Sequence, residues 1–195
     1  MKKFLKYFLV VIGVIVLIPL SIWGLMAVGV DISPFFNYIN KFQDKAKRPS
    51  PGATIEARFG EATVRINYSQ PAKKNREVFG KLVPYGEVWR TGANEATNIS
   101  LDKALNVAGK ILPAGKYELF TIPRADKWTI IFNSKSDQWG AFFYDEKSDV
   151  LRVDVPSGSN DSTLEQLILA FETTPETGLT IAWDKTKVFV PIKAQ

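Results

Sequence analysis

From Phe8 to Val30 the chain runs for 23 residues without a charged side chain, FLVVIGVIVLIPLSIWGLMAVGV. As a helix rising about 1.5 Å per residue it extends roughly 35 Å, enough to cross a hydrocarbon core of about 30 Å. Pro19 and the glycines weaken a soluble helix, but a membrane span tolerates them. No other part of the chain is long enough to cover such a helix on all sides. Ala27-Val28-Gly29 offers a small-x-small cleavage pattern, yet the stretch exceeds the roughly 7–15 apolar residues of a signal peptide. The expectation is therefore an uncleaved transmembrane anchor over residues 8–30. With no Cys in the chain, a lipid-modified N-terminal Cys is excluded.

Charge decides the orientation of that anchor. Residues 1–48 hold seven basic side chains against two acidic ones, the whole net charge of +5, whereas residues 49–195 hold 18 of each. Lys2, Lys3 and Lys6 crowd the N-terminal side, and the next basic residue is Lys41. By the positive-inside rule, residues 1–7 form a cytoplasmic n-region and the rest is exported. The cluster from Lys41 to Arg48 counts against this orientation, because it too lies close to the span. The expected location is the inner membrane of the cell, crossed once, with the C-terminal domain in the periplasm. A nucleic-acid partner is not expected, since the folded part carries no cationic surplus to meet phosphates.

Residues 31–52 read as a juxtamembrane linker. Phe35, Ile39 and Phe42 recur at helical spacing, with Pro34 at a first-turn position. The segment fits either a short amphipathic helix on the bilayer surface or an irregular tether. Pro49, Pro51 and Gly52 end it.

Over residues 53–195 the pattern changes to short alternating runs. Val64, Ile66 and Tyr68 share one face, as do Trp128, Ile130 and Phe132, and Leu151, Val153 and Val155. Leu167, Leu169 and Phe171 repeat the alternation, followed by Leu179, Ile181 and Trp183, then Val188, Val190 and Ile192. Further strand-like runs cover Thr97–Leu101, Ala104–Ala108 and Lys116–Ile122. Asp184-Lys185 is placed to close a terminal hairpin. About ten short strands without a long helix predict an all-β domain, an antiparallel β-sandwich first and a flattened barrel second.

Composition removes much chemistry. Without His or Cys there is no Ser-His-Asp triad, no thiol nucleophile, no disulfide and no zinc site built on those residues. No cofactor is called for. Asp145, Glu146 and Asp149 are a poor match to a calcium loop, because Lys147 intervenes and the glycine is missing. GKILPAGK misses phosphate-loop spacing, and Ser100-Leu101-Asp102-Lys103 matches S-x-x-K with no supporting second motif.

The candidate site lies in the least strand-like stretch, Phe79–Thr97. It gathers Tyr85, Trp89, Arg90, Asn94 and Glu95 on a connection of the kind that carries binding residues. Arg90 and Glu95 read either as holders of a polar or anionic ligand or as an internal ion pair locking the loop. Trp89 and the later Trp139 stand outside clean alternating runs, and read either as aromatic platforms for planar ligands or as core. Trp128 and Trp183 read as core.

VPYGEVWRTGANEAT, LPAGKYELFTIP and DQWGAFFYDEKSDVLRV together resemble the signature stretches of domain-of-unknown-function family 2911, over roughly residues 50–192. The resemblance implies an exported bacterial domain, compact and mostly β, and it carries no activity. The functional expectation is thus a non-catalytic binding or accessory module with a small-molecule or glycan ligand. A carboxylate-dependent hydrolase of envelope glycans and a structural subunit of an envelope complex are the alternatives.

Overall fold

The computed structural model describes Ile22, residues 24–40 and residues 43–195. The expected n-region and about two thirds of the expected span, residues 8–21 and 23, lie outside the described residues. Among those described, no helix is long and apolar enough to cross a membrane. The chain divides into two compact units, Met1–Lys41 and Phe42–Gln195. In the first, helix α1 covers Ser33–Asn40. The Asp31 carboxylate accepts the Ser33 N–H at 2.9 Å, capping its start.

The second unit opens with a short 3-10 turn at Lys45–Lys47, capped by the Asp44 side chain accepting from the Ala46 N–H. Nine strands follow: β1 (Gly52–Phe59), β2 (Ala62–Ser69), β3 (Thr97–Leu101), β4 (Leu105–Val107), β5 (Lys110–Leu112), β6 (Gly115–Pro123), β7 (Lys127–Asn133), β8 (Asp149–Glu172) and β9 (Gly178–Ala194). They form one antiparallel sheet in the order β1-β2-β3-β6-β7-β8-β9-β4-β5. The all-β antiparallel class is thus as expected, but neither expected arrangement is.

A sandwich needs two sheets; here one strand joins what would be both. The first third of β8 pairs with β7, through Val155 opposite Trp128, and the remainder pairs with β9, through Leu169 opposite Ile181. The alternating runs at 151–155 and 167–171 are therefore two ends of a single 24-residue strand. Shifts in register between Ser159 and Ile168 bend it. Likewise 179–183 and 188–192 are one strand. Asp184 takes a positive φ of 55° inside the ladder and receives the Lys73 ammonium at 2.6 Å, so no hairpin forms there.

Nor does the sheet close as a barrel. Where β1 and β2 approach the far part of β8, a few side chains replace a continuous ladder. The Tyr68 hydroxyl accepts the Leu169 N–H at 3.1 Å and donates to the Leu169 carbonyl at 3.4 Å. Pro71 and Lys73 bond the backbone of Leu167 and Glu165 on one side, and the Phe59 and Phe171 rings meet edge to face at 5.6 Å on the other.

The predicted inward faces are the buried ones: Val64, Ile66, Ile130, Phe132, Leu167, Leu169, Val188, Val190 and Ile192 all lie in one core. Trp128 and Trp183 are each 1 % exposed within it. A smaller cluster of Ala96, Phe120 and Ile131 lies on the opposite face, with Ala141 and Tyr144 of the β7–β8 connection packed against it.

Candidate functional site

Because alternate residues of a strand face opposite ways, strand register fixes which side chains meet on the outer face. Thr54 of β1 stands opposite Asn67 of β2, and Asn67 opposite Asn98 of β3. Asn98 stands opposite Glu118 of β6, Glu118 opposite Asn133 of β7, and Asn133 opposite Asp149 of β8. A single row of polar side chains thus crosses six strands. Thr54 donates to the Asn67 carbonyl oxygen at 2.7 Å, and the Asn67 amide donates to Asn98 at 3.0 Å. At the other end the Asn133 amide donates to the Asp149 carboxylate at 2.7 Å.

The two halves of this row differ in cover. Thr54, Asn67 and Asn98 floor an open cleft of about 500 Å³, walled by Asp44, Lys45 and Glu95. Glu118 and Asn133 are sealed, at 2 % and 0 % exposure, beneath the connection from Ser134 to Ser148. One Glu118 oxygen accepts the Asp137 N–H at 2.8 Å. Burial, with the Asp137 charge adding, pushes the Glu118 carboxyl up to about 8 despite the backbone N–H groups of Asp137 and Gln138.

Glu95 finds its cation outside its own loop. Arg48 Nη1 reaches both carboxylate oxygens, at 3.0 and 2.9 Å, and Lys45 stands 3.3 Å away. Burial pushes the Glu95 carboxyl up. Its own backbone N–H, the Arg48 hydrogen bond and the Lys45 and Arg48 charges outweigh that, holding it below the usual value. Asp44, the other carboxylate of the cleft, caps the 3-10 turn and pairs with Lys47 at 3.3 Å.

The residues singled out in the sequence disperse around this cleft. Asn94, at φ 61°, donates to the Ser50 carbonyl and the Ser69 hydroxyl, both at 3.3 Å, and so fastens the loop. Trp89 points into the core, where its ring meets Phe79, Trp128 and Trp183 with centroids 5.9 to 6.1 Å apart. Its indole N–H donates to the Gly92 carbonyl at 3.1 Å. Gly92 is itself tightly enclosed, since a Cβ there would stand 3.0 Å from the Thr97 hydroxyl and 3.1 Å from the Ser69 carbonyl oxygen. Tyr85 is exposed and lies against Gly80. Trp139 is partly buried and pairs through its backbone with Glu95. Arg90 makes no pair with Glu95; its guanidinium lies beside Gly140.

The residues that sequence reading did not single out are Thr54, Asn67, Asn98, Glu118 and Arg48. Their signal is an outward strand position filled by an amide, a hydroxyl or a carboxyl, and it becomes a site only when register aligns them. The acidic group Asp145, Glu146 and Asp149 has local employment. Asp145 caps the 3-10 turn Glu146–Ser148, while Asp149 accepts from Tyr144, Arg152 and Asn133. Among the described residues no cluster of three or more His, Cys, Asp or Glu side chains is placed to hold a metal ion.

A larger groove, about 850 Å³, lies elsewhere, between Pro156 and Gly158 of β8 and Phe189 and Pro191 of β9. None of the sequence-predicted residues lines it.

The geometry defines a single-sheet β domain with an amide-floored cleft on its outer face. The family model described as "Protein of unknown function (DUF2911)" matches residues 50–192, and the chain belongs to that family. No curated protein and no solved structure matches it.

Proposed function

We propose that this protein is a membrane-anchored, extracytoplasmic binding module that holds a hydroxyl-rich ligand of the glycan type without transforming it. The carrying observation is the cleft over Thr54, Asn67 and Asn98. Linked amide and hydroxyl groups offer both donors and acceptors, the chemistry that reads sugar hydroxyls. The cleft also weighs against hydrolysis. A glycosidase needs one carboxyl group with a raised pKa to act as acid. Glu95 is held low by its own backbone N–H together with Arg48 and Lys45, and the raised Glu118 is sealed away from solvent.

Two features support the anchor. The uncharged stretch Phe8–Val30 has the length and composition of a span. Its described end exposes Leu25, Val28 and Val30, and the adjoining helix α1 exposes Phe35 and Tyr38. Apolar side chains presented in succession along the chain suit a bilayer interface. On cell fractionation the full-length chain is expected in the carbonate-washed membrane fraction, and deletion of residues 1–30 is expected to release it. Recovery of the intact chain in the soluble fraction would refute the anchor.

The binding reading predicts that neutral oligosaccharides titrated into the protein give heat by calorimetry. Asn98→Ala removes one neutral hydrogen-bonding group from an exposed position, so affinity falls about fivefold with little change in thermal stability. A panel of neutral oligosaccharides that produced no binding would end the reading.

A further inference from the structure

We propose that the groove of about 850 Å³ between β8, β9 and the β4–β5 turn is a slot for a short extended peptide with uncharged apolar side chains, held by main-chain hydrogen bonds to Asp154 and Phe189. It shares no lining residue with the amide cleft and is independent of what that cleft holds.

The groove exists because the ladder forks. β8 and β9 pair as far as Ser157 opposite Val188, and continued pairing would set Pro156 against Phe189. Instead β8 runs on against β7, with Pro156 opposite Lys127, while the end of β9 pairs with β4, with Ile192 opposite Val107. The β4–β5 turn makes the third side. It is tied to β8 where the Lys110 ammonium donates to the Arg152 carbonyl at 3.0 Å.

In an antiparallel ladder the N–H and C=O of one residue point to the same side, and successive residues alternate. On β8 the Ser157 N–H donates to the Asp126 carbonyl at 2.9 Å, so the odd-numbered residues serve β7. The even-numbered ones turn away from it, as the Arg152 carbonyl does toward Lys110. On β9 the Pro191 carbonyl accepts the Ala108 N–H at 2.8 Å, whereas Ile192 bonds Thr177 on the opposite side. Asp154 and Phe189 therefore both direct an N–H and a C=O into the groove, and among the described residues neither main chain is paired there. Pro156 and Pro191 occupy the same two edges at positions whose N–H would face the opening, and proline has none. They limit the free edge to about one complete residue on each side.

That pattern selects the occupant. A residue that offers N–H and C=O together is matched by another residue doing the same, as in strand addition. The lining selects the side chains. Outward positions of a solvated antiparallel sheet are ordinarily polar. Here Phe189 and Pro191 interrupt that pattern between Lys187 and Lys193, while Val188, Val190 and Ile192 fill the inward face. Pro156 and Val155 extend the apolar lining across the fork. Charge on the rim is balanced. Lys127 holds Asp154 at 2.7 Å, Glu172 holds Lys187 at 3.0 Å, and Glu176 lines the same groove as Lys193. Aliphatic side chains on an extended backbone meet both requirements.

The test uses the full-length protein and a capped pentapeptide of alternating valine and alanine, compared with the same peptide N-methylated throughout. In the free protein the Asp154 and Phe189 amides are expected to exchange rapidly with solvent, unlike that of Val153, whose N–H lies in the β7 ladder. The unmodified peptide is expected to slow both amides. It should bind at least tenfold tighter than the N-methylated form, about the effect of losing two or three neutral hydrogen bonds. Asp154→Pro deletes the N–H on the open side and leaves the β7 ladder bonds in place. It should weaken the peptide about fivefold relative to Asp154→Ala, which keeps the N–H and should bind as the wild type does. The two variants should melt together. If Asp154→Pro does not fold, the exchange and N-methylation results decide alone. Equal binding of the two peptides overturns the slot, since that is the behaviour of a merely apolar surface. So does unchanged exchange at both amides, an equal loss in both variants, or no binding of either peptide.

Discussion

Trp89→Ala is expected to destabilise the β body by about 3–5 kcal/mol, the usual cost of truncating a fully packed tryptophan. The indole is 8 % exposed, stacked on Trp183 and edge-on to Phe79 and Trp128. Its loss opens a cavity between three large rings that cannot close over it, and strands the Gly92 carbonyl that its N–H serves. The residue also ties its loop to the sheet. Backbone bonds to Thr121 run in both directions, at 2.8 and 2.9 Å, so the loop that carries Arg90, Asn94 and Glu95 is held by its own buried end. Urea unfolding followed by tryptophan fluorescence measures the effect. A loss below about 1 kcal/mol would show that the ring is dispensable to the core.

The second large effect is a dependence of stability on pH set by Glu118. Its folded carboxyl titrates near 8 where an ordinary glutamate titrates near 4.5, because burial disfavours the anion. The folded state therefore holds the proton more tightly than the unfolded one. The stabilisation this gives is complete below about pH 4.5 and is lost as pH rises through about 8. A displacement of this size corresponds to roughly 5 kcal/mol at full loss. Unfolding curves at pH 5, 7 and 9 should show stability declining through the series, and Glu118→Gln should flatten the decline. With no His in the chain, few other groups titrate in this window. At the acid end the sign reverses. Glu95, Asp154 and Glu172 are all held below their ordinary values, so their contributions are present above those values and fade as pH falls. A wild-type curve that stayed level from pH 5 to 9 would show that Glu118 is ionised without cost.

The alternation of apolar residues made the strands and their inward faces legible, because burial on one face of a sheet leaves a period of two in the sequence. Continuity was not legible. The stretch Ser157–Thr163 has the composition of a turn, yet its first residues pair with β9 and the rest is absorbed as a bend. Asp184-Lys185 likewise has hairpin chemistry, but Lys73, more than a hundred residues earlier, holds Asp184 in a local distortion of a running strand. Local propensity proposes a turn there, and a tertiary contact overrides it.

The site divides in the same way. A polar, glycine-bearing loop was visible as the place where ligand chemistry could sit, and Glu95 does line the cleft. Its partner was not visible, since Arg48 lies 47 positions away in the segment read as a linker. Trp89 was ambiguous because its run is too short to show alternation, and the structure turns it inward. The amide row was hidden for a different reason. An outward Asn on a single strand is unremarkable, and only the register between strands turns Thr54, Asn67 and Asn98 into one surface.

The phenol at Leu169 gives the body an unequal strength. Elsewhere neighbouring strands are welded by repeated backbone bonds, so parting them breaks many at once. Between β2 and the far half of β8 the fastening is a clasp: one hydroxyl engages both polar groups of Leu169, a short run of backbone bonds lies to one side and a pair of rings to the other. Fewer backbone bonds cross this line than join β8 to β9, so its amides are expected to exchange with solvent before those of the β8–β9 ladder.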